Sequence, residues 1–173
     1  MKTTVVYESA TGNTAAVARA ILAALPEEAQ GTLCGPDEAA AGEAQLIFAG
    51  FWTDKGSCSP AMAQFLAGLH GKRVALFGTA GFGGSQEYFD GLLERVAAHL
   101  PEDCVKEEGF MCQGKMPQGV RKRYEAMLAQ APEDPRAKAM IENFDRAASH
   151  PDGEDLRRAG EYARKVYASA GQV

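Results

Sequence analysis

The chain is poor in the features that mark several large functional classes. Among its 173 residues, 18 Lys and Arg are outnumbered by 23 Asp and Glu, for a formal charge of -5. A surface that grips nucleic acid needs a basic excess to neutralise phosphates, so that class of partner is excluded. The longest apolar run, Leu46 to Trp52, falls far short of the roughly 20 residues that cross a bilayer, and no membrane insertion is expected. Met1-Lys2 leads straight into Thr3-Thr4-Val5-Val6-Tyr7 without the apolar stretch and cleavage site of a secretory signal, so a cytoplasmic location is expected. The cysteines Cys34, Cys58, Cys104 and Cys112 are 24, 46 and 8 positions apart. None has the CxxC spacing of a zinc or dithiol centre, and a chain this long needs no disulfide framework. They read as small buried hydrophobes, except Cys58, which sits between Ser57 and Ser59 and reads as part of an exposed loop. The three histidines, His70, His99 and His150, lie far apart beside no nucleophile and read as surface or capping groups. Hydrolysis and acyl transfer therefore have no constellation, and Glu27-Glu28, Glu107-Glu108 and Glu154-Asp155 read as solvated faces.

What is present alternates between two periods. Thr3 to Tyr7, Gln45 to Phe51 and Arg73 to Thr79 are short, nearly continuous apolar runs closed by Gly, Thr or Ser, the pattern of parallel strands covered on both faces. Gln30 to Cys34 and Cys104 to Cys112 are weaker candidates, the first a short edge strand. Between them, Val17, Ala18, Ile21, Leu22 and Leu25 form one helical stripe. Met62, Phe65, Leu66 and Leu69 form a second, opened by Ser59-Pro60, and Phe89, Leu92, Leu93, Val96 and Leu100 a third. Strand and helix in alternation imply a parallel sheet with right-handed crossovers, an α/β fold. After Cys112 the chain turns helical. One domain over 1–173 is expected, with a helical insertion at about 114–151 and a covering terminal helix at about 153–170.

The segment Ser9-Ala10-Thr11-Gly12-Asn13-Thr14 joins the first strand to the first helix. In an open parallel sheet, ligands bind outside the carboxyl ends of the strands. A turn there that enters a helix offers unpaired N–H groups and the positive end of the helix dipole. Ser9, Thr11 and Thr14 add hydroxyls, Asn13 an amide, and Gly12 a close backbone approach. The turn suits a phosphate held by neutral donors. It lacks the lysine of GxxxxGK[ST] and the pattern GxGxxG, which excludes a Walker-type triphosphate site and the dinucleotide fingerprint.

With that turn in place, Tyr7 to Thr14 resembles the loop by which flavodoxins hold the 5′-phosphate of FMN. The likeness covers about residues 1–113, and Glu8 departs from it where the family has a small residue. A carboxylate beside a phosphate is repelled, so Glu8 is expected to point away or weaken the site. The resemblance implies a flavodoxin-like three-layer sandwich: a five-stranded parallel sheet in the order 2-1-3-4-5, helices on both faces, and an extra helical pair near the C-terminus. It assigns cofactor contacts to Ser9, Ala10, Thr11, Gly12, Asn13 and Thr14 in the first loop and to Trp52, Thr53 and Gly56 in the second. Thr79, Ala80, Gly81 and Phe82 in the third complete the set. Trp52, the single tryptophan, would be one wall of the flavin ring and Phe82 the other, with Gly56 the residue whose peptide reorients on flavin protonation. Many flavodoxins use tyrosine for the outer wall. Tyr88 lies in the following helix, where packing is expected. The string Cys112-Gln113-Gly114-Lys115 is similar to one in a divergent flavodoxin-like subgroup, and Lys115 would face the ring, a partner or simply a turn.

The function implied is electron transfer through FMN to or from a partner oxidoreductase, by a monomer or homodimer whose acidic surface steers a basic partner. Two alternatives stand beside it: an NAD(P)H-dependent FMN or quinone reductase on the same fold, and a cofactor-free interaction module.

Overall fold

The computed structural model describes residues 1–37 and 42–172. The β-branched and aromatic runs form strands β1 (Thr3–Tyr7), β2 (Thr32–Cys34), β3 (Leu46–Trp52), β4 (Arg73–Ala80), β5 (Val105–Lys106) and β6 (Phe110–Gln113). All pairings are parallel, in the order β2-β1-β3-β4, with β5 and β6 both alongside β4. The sheet thus has the expected 2-1-3-4-5 order, with its fifth row broken in two. Glu107, in the break, pairs with Arg73 of β4 at 2.7 Å. Gly109 lies under Leu93, whose Cδ1 would be 2.8 Å from any added Cβ.

The helices are α1 (Asn13–Ala24), α2 (Pro60–Ala67), α3 (Gln86–Ala97), α4 (Gln118–Gln130), α5 (Pro135–Ala147) and α6 (Gly153–Ala170). Alternate strand residues feed two cores, since successive side chains point to opposite faces. Val5, Phe48 and Phe77 pack beneath α1 and α6 with Val17, Ile21, Ala163 and Val166. Val6, Ile47 and Leu76 pack beneath α2 and α3 with Met62, Leu66, Leu92 and Val96. Each of the Val, Leu, Ile, Phe and Met side chains among these contributes about 1.5–3 kcal/mol by its burial. Cys58, expected in an exposed loop, is buried in the second of these cores. It directly precedes the Ser59 cap of α2, and the start of that helix carries it inward.

Helix α6 opens with a capping box between Asp152 and Asp155 and packs beside α1. Tyr162 of α6 reaches through the layer to donate to Leu76 O at 3.0 Å. The α4–α5 hairpin is stitched by Arg121, which pairs with Glu125 and Asp145 and stacks on Phe144. Among the described residues, no helix is long and apolar enough to cross a membrane.

Candidate functional site

The carboxyl ends of β1, β3, β4 and β6 open onto one edge of the sheet, and four loops meet there. In the first, Ser9 Oγ accepts from Gly12 N at 3.1 Å, and Gly12 (φ +89°) turns the chain into α1 without any side-chain cap. The left-handed conformation explains the glycine. The N–H groups at the start of α1 have no acceptor within the helix, and no acidic residue stands in its first turn. Glu8 is held by the Ser59 hydroxyl, which also accepts from Met62 N at 3.1 Å, so its carboxylate is engaged at the start of α2.

One of the expected hydroxyl donors is committed elsewhere. Thr14 Oγ1 and Thr79 Oγ1 are 2.9 Å apart and buried, so Thr14 offers the loop its amide, and Thr79 braces α1 against β4. Asn13, 8% exposed, donates through Nδ2 to Lys115 O at 2.9 Å, while its buried Oδ1 has no partner among the described residues. Gly114 permits this approach, because a Cβ there would sit 2.6 Å from Asn13 Nδ2.

A cleft of about 560 Å³ runs along this edge. Ala10, Thr11 and Asn13 line it from the first loop, Trp52, Thr53 and Gly56 from the second, and Thr79, Ala80, Gly81 and Phe82 from the third. Ser9, half-buried, and Thr14, fully buried, do not line it. Gly12 borders a smaller groove of about 230 Å³ next to it. Trp52 is the last residue of β3 rather than a loop residue, which fixes its backbone in the ladder against Thr79. Thr53 donates to Thr79 O through both N and Oγ1 at 3.0 Å. Lys55 (φ +48°) and Gly56 (φ +83°) form a tight turn closed by reciprocal Asp54–Ser57 backbone bonds, and Arg95 Nε donates to Gly56 O at 2.7 Å. The third loop is tied to the helical hairpin, because Gly81 O accepts from Gln113 Nε2 and from Asn143 Nδ2, both at 3.0 Å.

Several lining residues were not legible as such. Tyr88, expected to pack inside its helix, is 38% exposed and lines the cleft. The signal was local, since Ser85 caps α3 by accepting from Tyr88 N and so places Tyr88 in the first turn. Met116, Val120, Arg123 and Tyr124 arrive from the α4 region, which only the tertiary fold brings over the sheet edge. The charged lining residues are Lys55, Lys115, Arg123 and Asp54, a positive balance in a chain of net charge -5. The acid excess of the whole chain is therefore not repeated in the lining of the cleft. His150, read as a surface or capping group, borders the smaller groove opposite the first loop. Burial raises the Cys58 thiol, with Glu8 adding to the effect, and raises the Cys112 thiol further, with Asp155 adding. Neither is a poised nucleophile.

A family model described as a flavodoxin domain matches residues 4–164. The chain is 42% identical over 173 residues to the flavodoxin-like domain-containing protein BilS of Clostridium symbiosum (strain WAL-14163), covering 90% of each chain. A flavodoxin, WrbA-like protein from Agrobacterium tumefaciens superposes with a TM-score of 0.59 at 18% identity, covering 99% of this chain and 98% of that one. A flavoprotein from Lactobacillus acidophilus NCFM, solved in complex with FMN, superposes with a TM-score of 0.51 at 14% identity, covering 64% of this chain and 92% of the other.

Proposed function

The chain belongs to the flavodoxin domain family, and on that basis we propose that it binds FMN along the carboxyl edge of its sheet and passes electrons to or from a partner oxidoreductase. The observation that carries this reading is the cleft itself. An uncapped helix start framed by small residues meets a cleft lined by Trp52, Phe82, Tyr88 and Tyr124. Flat rings suit an aromatic heterocycle, and bare amides suit a monophosphate. The partnerless Asn13 Oδ1 is an acceptor, which suits a hydroxyl of a ribityl chain rather than a phosphate oxygen.

FMN, when bound, supplies the redox chemistry. The first loop and the start of α1 would hold its phosphate, with Trp52 and Phe82 flanking its ring. Arg95 fixes the carbonyl of Gly56, and Gln113 with Asn143 fixes that of Gly81, so two of the lining loops are organised before any ligand enters. The positive lining favours a partner that presents carboxylates, in place of the basic partner suggested by net charge. The hairpin residues Met116, Val120 and Tyr124 beside the cleft favour a second reading, an NAD(P)H-dependent reductase on the same fold, since a covered ring suits a substrate pocket.

The test is an absorption spectrum of purified protein, a titration with FMN, and an assay for NAD(P)H oxidation. One yellow flavin per chain without NAD(P)H turnover supports the carrier, and steady turnover supports the reductase. Protein that stays colourless and ignores added FMN rejects both.

A further inference from the structure

The turn between α5 and α6 passes beside the first loop, and hydrogen bonds knit three elements distant in sequence. Asn13 Nδ2 donates to Lys115 O at 2.9 Å, and Lys115 N donates to His150 O at 2.7 Å. Between them runs the groove of about 230 Å³, with Thr11, Gly12 and Asn13 on one side and Lys115 and His150 on the other. It shares Thr11, Asn13 and Lys115 with the larger cleft, so the two are continuous. Among the described residues, Lys115 forms no ion pair.

The loop alone presents neutral donors to a dianion. We infer that Lys115, at the start of the helical insertion, faces that loop and holds the phosphate end of the flavin by charge. This rests on the FMN reading above. His150 Nδ1 lies 2.5 Å from Asp155 Oδ2 and 3.9 Å from Asp152 Oδ2. Two carboxylates beside one imidazole leave that corner of the groove without a net positive charge. Both carboxylates also belong to the α6 capping box, where each accepts from the other residue's backbone amide. Among the described residues, Lys115 is the other charged side chain on the groove, and it supplies the positive charge. His150 serves through its carbonyl, which accepts from Lys115 N and fixes the backbone from which the lysine extends. Charge-assisted hydrogen bonds to phosphate are about twice as strong as neutral ones, which makes this contact worth a measurable part of the affinity.

Riboflavin has the ring and ribityl chain of FMN without the phosphate, so the pair isolates the phosphate end. Both are titrated against the full chain and against Lys115→Met. The substitution is expected to weaken FMN binding about tenfold and leave riboflavin unchanged. Salt gives a mutation-free check: FMN affinity should fall several-fold with added KCl while riboflavin affinity holds. Equal losses of both flavins, or full FMN affinity in Lys115→Met, overturn the inference while leaving FMN binding intact. An unsubstituted chain that binds neither flavin overturns the proposed function instead.

Discussion

The hydroxyls of Thr14 and Thr79 meet at 2.9 Å inside the protein, 65 residues apart in the chain. This one contact fastens the start of α1, where the first loop of the cleft ends, to the end of β4, where the third begins. Replacing either threonine by valine leaves the other hydroxyl buried without a partner, at a cost of about 1–3 kcal/mol. The double valine variant should be less destabilised than the two single losses predict. Urea unfolding of the four proteins in a mutant cycle checks both statements.

Trp52 is the single tryptophan and lines the cleft. Binding of FMN should therefore quench the whole of the protein's tryptophan emission, rather than a fraction of it. Trp52→Ala should weaken FMN about tenfold or more, from lost stacking and lost contact area. Emission that ignores saturating FMN would remove Trp52 from the site.

Gly50 of β3 lies against the Phe77 ring, where an added Cβ would fall 2.1 Å from Cζ. Phe77 is fully buried in the packed face beneath α1 and α6 and has little room to retreat. Gly50→Ala should cost about 1–3 kcal/mol of stability through overpacking. Phe77→Leu in the same chain should restore part of it, as read by the thermal midpoint.

The raised thiols set a direction for alkaline stability. Cys58 and Cys112 hold their protons in the folded chain above the pH at which an unfolded thiol releases its own. Their contribution is present below about pH 8.5 and is lost as pH climbs, by up to about 1.4 kcal/mol per pH unit for each thiol. Tyr162, fully buried, adds the same trend above about pH 10. Urea midpoints from pH 7 to 10.5 should fall accordingly, and Cys112→Ala should flatten the first part of the fall. At pH 8 the folded chain should leave both thiols unmodified by iodoacetamide.

The charge around the cleft predicts how it meets small oxidants. Once loaded with FMN and reduced by dithionite, the protein should pass electrons one at a time to ferricyanide. If Lys55 and Arg123 dominate the mouth, the rate should fall as salt is added, and it should rise for hexaamminecobalt(III). Lys55→Glu together with Arg123→Glu should reverse both slopes in stopped-flow measurements. Rising rates with ferricyanide in the unsubstituted chain would instead favour control by the net charge of -5.

The alternation of strand and helix was legible because strands buried on both faces leave short unbroken apolar runs, while helices buried on one face leave a period near four. The turn at Ser9 to Thr14 was legible because a helix start that must stay open tolerates few residue types. Period and turn chemistry are local, so sequence alone determined the layered sheet and the edge that bears the site. The family likeness, once noticed, pointed to Trp52, Gly81 and Phe82 as neighbours of that edge. Sequence could not show that the Thr14 hydroxyl turns inward, that Cys58 is drawn into a core, or that Tyr88 faces the cleft. It also could not show that Lys115 and His150 come to stand beside Asn13. Those facts depend on contacts between segments as much as 137 residues apart, from Asn13 to His150, and on how the α4–α5 hairpin returns across the sheet. Net charge leaves the charge of the cleft itself undetermined for the same reason. It sums over the whole surface, whereas a cleft feels the few side chains that folding gathers around it.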